Sequence, residues 1–202
     1  MSFMKKALYW AALIILLLIA GSVLLLYYTQ PFSEDFNFKN EINYSDIQIQ
    51  SNQGYNGEIV LSYARAEVGT LELKNEGYFT QGYSLPQLIG CIDSPNNTDS
   101  PIQQNQFNIE YQNGRNSVGY NIPIEIPVGE EKTITLEAVY NNYNVPLSQF
   151  SRENIKSVSI YKISEKENNP IKINYDYRDY GYHGCSALKS NGKPMAVIQI
   201  TA

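Results

Sequence analysis

The most reactive side chains of the sequence stand close together in Tyr180-Gly181-Tyr182-His183-Gly184-Cys185, with Met195 following. A Cys–His pair can generate a thiolate nucleophile, and hydrolytic triads and most zinc sites also call on histidine. His183 is the one histidine of the chain. A blue-copper centre takes two His and one Cys with a weak axial Met. His183, Cys185 and Met195 supply three of those ligands, and the second His does not exist. Nothing around Cys185 carries a signature of cysteine catalysis. Asp176 and Asp179, in Asn174-Tyr175-Asp176-Tyr177-Arg178-Asp179-Tyr180, come nearest to an oxygen-ligand cation loop, without the spacing of a calcium site. Gly-rich phosphate loops and two-carboxylate glycosidase signatures are missing too. The reading is a non-catalytic chain with no metal and no cofactor.

The two cysteines fit a different chemistry. Cys91 and Cys185 are 94 residues apart in a segment assigned below to the outside of the cell, where an even count favours a disulfide. Closing so long a loop stabilises the folded state by roughly 4 to 5 kcal/mol in the chain-entropy account. Two sequons, Asn43-Tyr44-Ser45 and Asn96-Asn97-Thr98, are candidate glycosylation sites, Asn96 within the polar, proline-containing run Ser94–Gln106 that reads as an exposed loop. Tyr175, Tyr177, Tyr180 and Tyr182 cluster just before Cys185 and form the candidate partner-binding surface, since exposed Tyr gives large contact area at small entropy cost.

These groups have to be held by a membrane segment and the domain that follows it. Ala7–Tyr28 carries no charge and is long enough to cross the hydrocarbon core as a helix, which takes about 20 residues. Tyr9, Trp10, Tyr27 and Tyr28 stand at its two ends, where aromatic rings favour the headgroup zones. Lys5 and Lys6 precede it, so the positive-inside bias keeps residues 1–6 in the cytoplasm. A cleaved signal peptide would have a shorter apolar run ending in a small-x-small site. Here the small pair Ala20 and Ser22 lies mid-run, and the run ends in bulky residues. The start, Lys5-Lys6-Ala7-Leu8, resembles the short basic leader of type IV pilin-like precursors, which implies cleavage before Ala7 and a helix serving as a filament core.

Residues 29–39 read as a polar and aromatic stalk, and residues 40–202 as one extracytoplasmic all-β domain. Strand-like alternation recurs over 41–50, 58–64, 69–75, 87–92, 106–112, 121–128, 132–140, 155–164, 170–177 and 195–201. In 132–140, Ile134, Leu136 and Ala138 share one face and Thr133, Thr135 and Glu137 the other. Turns are expected at Asn113-Gly114 and Val128-Gly129-Glu130, and a short helical stretch over 146–154. This spacing predicts an antiparallel β-sandwich, with a closed barrel as the alternative.

Leu71-Glu72-Leu73-Lys74-Asn75-Glu76-Gly77, followed by Ile126-Pro127-Val128-Gly129-Glu130-Glu131-Lys132-Thr133-Ile134-Thr135-Leu136, resembles immunoglobulin-like adhesion and accessory modules of prokaryotic surfaces. There, a strand ends in Asn-x-Gly and a later hairpin reads Pro-x-Gly-Glu. The resemblance implies an immunoglobulin-like sandwich and carries over no functional residue. Composition adds to it, because a polar, weakly charged chain with 17 tyrosines is similar to surface proteins of heat-loving archaea. Beyond the anchor, 13 basic face 20 acidic side chains, which gives no attraction for nucleic acid. The expected protein is a single-pass cell-membrane protein whose outer domain binds other surface or membrane proteins, self-association being the second option. The bilayer is engaged through residues 7–28.

Overall fold

The structure is a computed structural model. It describes residues 3–29, 31–93, 106–114, 116–119, 123–140, 146–163, 185, 188–189 and 192–202, with backbone only at 3–8, 27–29 and 106. Among them the chain is mostly β-strand, with one N-terminal apolar helix. The elements run α1 (Phe3–Thr29), β1 (Phe32–Phe38), β2 (Glu41–Asn43), β3 (Gln48–Gln53), β4 (Ile59–Asn75), β5 (Gln81–Ser84), β6 (Gln87–Asp93), β7 (Gln106–Asn113), β8 (Asn116–Val118), β9 (Pro123–Ile126), β10 (Glu131–Tyr140), β11 (Ser157–Ile163) and β12 (Ala196–Thr201). Ten strands form a sheet of order β1-β4-β10-β7-β6-β11-β12-β2, with β3 on β4 and β8 on β7; β5 and β9 pair separately.

Leu, Ile and Ala dominate α1 and favour helix, and Pro31 just past its end cannot continue it. Ser22 donates its hydroxyl to the Leu18 carbonyl, so its polar atom is satisfied within the helix. None of the apolar window Tyr9–Leu26 is buried.

The chain divides into two compact units. The first holds residues 1–34, 73–83 and 124–132. In it Phe32 stacks on Tyr83 with ring centroids 5.3 Å apart, and the Glu76 amide donates to the Pro31 carbonyl. Asn75 is the centre of this unit. Fully buried at the end of β4, it donates from Nδ2 to the carbonyls of Phe79 and Ile126, both at 2.8 Å, and accepts from the Gly77 amide. Its own amide donates to the Glu130 carbonyl and its carbonyl accepts from Gly129. The expected turn after β9 is present: Glu130 donates to Pro127, and Gly129 takes the positive φ of +74° that suits glycine. Asn75 thus ties together the two turn motifs quoted above.

The second unit holds residues 35–72, 84–123 and 133–202. Ile134 and Leu136 of β10 are fully buried, as their alternation predicts. Its apolar residues come from distant places in the strand order. Ile42 of β2 and Ile200 of β12 line one small cavity, of about 50 Å3, together with Ala64, Ala66 and Val68 of β4. The sheet therefore curls, bringing strands from its two ends over a common core. The β12–β2 pairing is parallel, unlike the antiparallel β11–β12, β11–β6, β6–β7 and β7–β10 pairings.

Several sequence expectations change in detail. The runs 58–64 and 69–75 are one strand, β4, because residues 65–68 between them are strand as well. A Cβ at Gly69 would lie 2.3 Å from the Asn37 carbonyl oxygen, so only glycine lets β1 pass so close. Part of the expected stalk is strand β1, where Phe32, Phe36 and Phe38 share one face and Phe36 stacks on Phe38. The run 41–50 is broken by a 3-10 turn over Tyr44–Asp46, capped by the Asn43 side chain. The helical stretch over 146–154 contracts to a 3-10 turn at Leu147–Gln149. Gly114 makes the expected turn at the end of β7, with φ +65°, leading to its hairpin partner β8. The run 170–177 lies outside the described residues.

Candidate functional site

Cys91 and Cys185 are joined in a disulfide, with Cα atoms 5.7 Å apart. Cys91 lies on β6 opposite Ser159 of β11, and Ile89 opposite Tyr161, so these side chains share one face of the sheet. Cys185, Leu188 and Lys189 have helical backbone. The disulfide and Leu188 form one buried cluster with Ile89, Tyr161 and Ile163.

Beside the apolar patch is a small polar cluster. Lys189 Nζ lies 2.6 Å from Asp93 Oδ1 and donates to the Ile92 carbonyl. Ser159 donates its hydroxyl to Asp93 Oδ2 at 2.6 Å, and Ser157 does so at 3.4 Å. Tyr161, next to this cluster, has its phenol pushed above the ordinary range, chiefly by burial and further by the Asp93 charge, while its bond with Ser159 works the other way. Sequence reasoning missed Asp93 and Lys189. A signal existed, since Asp93 is two residues past Cys91 on a strand and Lys189 four past Cys185 on a helical turn, each on its cysteine's face.

Comparison with protein families, curated proteins and solved structures found no match to this chain. The site's chemistry has to be read from its own groups. With both sulfurs in the bond, neither cysteine offers the thiolate that nucleophilic or metal-binding chemistry uses. Among the described residues, no three His, Cys, Asp or Glu side chains gather as metal ligands. What the arrangement does is hold Cys185, Leu188 and Lys189 against β6 and β11 by a covalent bond, a buried Leu and an ion pair.

The other sequence candidates fall in different places. Asn43 is described, and its Oδ1 accepts from the amide and hydroxyl of Ser45, while Nδ2 donates to the Ala202 carbonyl at 2.7 Å. Nδ2 is the atom a glycan would occupy, and attachment there replaces one of its two hydrogens. Asn96, His183, Asp176, Asp179 and the cluster Tyr175, Tyr177, Tyr180 and Tyr182 lie outside the described residues.

A second polar group crosses three strands. Glu110 of β7 and Glu137 of β10 are directly opposed, an arrangement that repels. Arg65 of β4 bridges them, with Nε 3.2 Å from Glu137 and Nη2 3.6 Å from Glu110, the former without hydrogen-bond alignment. Arg65 also lies over the Tyr63 ring, 5.4 Å from its centroid.

Proposed function

We propose that the chain is a non-catalytic, single-pass membrane protein with its N-terminus in the cytoplasm and an immunoglobulin-like β-sandwich outside, binding or supporting another surface or membrane complex. The observation that carries this is α1: eighteen consecutive residues, Tyr9–Leu26, long and apolar enough to span a bilayer and none of them buried. The disulfide fits an oxidising compartment beyond that membrane. The curled sheet and the joining of the Asn-x-Gly and Pro-x-Gly-Glu turns through Asn75 support the immunoglobulin-like resemblance. The partner surface is assigned to Tyr175, Tyr177, Tyr180 and Tyr182, which precede the stapled Cys185 in sequence.

Photo-crosslinking from positions 177, 180 and 182 in native membranes tests the binding role. The expected product is an adduct with a second membrane or surface protein, lost when the other tyrosines of the cluster are replaced by Ser. Adducts formed only between copies of the chain would replace this role with self-assembly. Processing before Ala7 together with adducts along α1 would replace it with a pilin-like filament subunit.

A further inference from the structure

The first unit exposes large apolar side chains besides those of α1: Tyr78 is 66% exposed, Phe79 38% and Val128 50%. They stand on two short loops, 76–80 and 127–130, and both loops are fastened to Asn75 by the hydrogen bonds described above. Their position along the membrane axis follows from chain geometry. A helix of 27 residues at about 1.5 Å per residue spans roughly 40 Å, close to the thickness of a bilayer with its headgroups, so Thr29 lies at the outer headgroup boundary. Pro31 is two residues further, at most about 7.6 Å from Thr29. Its carbonyl accepts the Glu76 amide at 3.2 Å, and Phe32 stacks on Tyr83 beyond the same loop. The loop carrying Tyr78 and Phe79 is thereby pinned within reach of the headgroups.

We propose that loops 76–80 and 127–130 rest on the surface of the bilayer that α1 crosses, with Tyr78, Phe79 and Val128 entering the headgroup layer as an interfacial foot. This rests on the reading of α1 as an anchor. Tyr and Phe favour that layer, and rigid loops lose little freedom on entering it. Charge selects the lipid. The non-helical part of this unit carries Glu34, Glu76, Glu125, Glu130 and Glu131 against Lys74 and Lys132, so the foot fits zwitterionic headgroups and is repelled by anionic ones. The occupant is the lipid surface itself, since covalent attachment to α1 keeps these loops beside it.

The test uses the full chain in phosphatidylcholine vesicles whose acyl chains are brominated close to the headgroup. Trp10 is the sole tryptophan of the chain and reports on α1. Two further proteins carry Trp10→Phe with Tyr78→Trp or with Val128→Trp, both replacements at exposed positions. The expected result is loss of fluorescence for Trp10 and for both introduced indoles, and weaker quenching at 78 and 128, but not at 10, when phosphatidylglycerol is added. Quenching of Trp10 with full intensity at both introduced positions would overturn the foot and leave the anchor standing. Failure to quench Trp10 would remove the anchor and the foot together. Intensities at 78 and 128 that ignore bromine but change as the protein is diluted in lipid would assign the surface to a second copy of the chain and overturn the foot.

Discussion

Asn75 has no contact with water, and each polar atom of its side chain already has a protein partner. Asn75→Asp keeps the shape but turns the two-carbonyl donor into an acceptor and buries a charge against the Phe79 and Ile126 oxygens. The expected cost is about 2–4 kcal/mol, read as a lower thermal midpoint with the disulfide intact. A second residue-scale effect concerns pH. Tyr44, whose hydroxyl donates to the Phe150 carbonyl, has its phenol pushed up by burial, as Tyr161 has. The folded chain keeps these protons where the unfolded chain releases them. Their contribution is therefore full below about pH 10 and is lost as pH rises through the higher folded value. Denaturant midpoints taken across the alkaline range should fall, and the fall should be shallower in Tyr161→Phe.

Across β4, β10 and β7, two facing glutamates are tolerated because Arg65 lies between them. Arg65→Met should destabilise the sheet by about 1 kcal/mol, the scale of cross-strand charge pairs, and adding Glu110→Gln should restore much of it. Thermal melts of the single and double variants check this, and no recovery would mean that Arg65 acts through packing alone. Elements of this kind show what the sequence discloses. Strand-like composition or alternation exposed β6, β7, β10 and β12 almost to the residue, and Asn-Gly and Pro-x-Gly-Glu marked real turns. The close passage of β1 beside Gly69 was not legible, because a backbone passing within contact distance leaves no trace in local pattern. The Phe alternation of β1 was hidden behind Glu34 and Asp35, and the parallel β12–β2 pairing joins segments far apart in sequence. The bridge from Arg65 to Glu110 depends on strand order, which a single sequence does not contain. The disulfide was legible because two cysteines leave one pairing.

At the scale of the whole molecule, an exposed apolar helix precedes in sequence a curled, disulfide-stapled β-structure. Replacing both Cys91 and Cys185 with Ser should lower stability by up to about 4–5 kcal/mol while leaving membrane insertion through α1 intact. Equal thermal midpoints for variant and parent under oxidising conditions would show that the ion pair of Asp93 with Lys189 and the packing of Leu188 suffice without the bond. The central claim is that α1 remains in the mature protein as its membrane anchor. Intact-mass spectrometry of the chain from carbonate-washed membranes, without reductant, tests it most directly. The account predicts a membrane-retained species of the full 22.9 kDa sequence less the two hydrogens of one disulfide. A mature chain beginning at Ala7, or one starting beyond Ala20 and released by the wash, would contradict it.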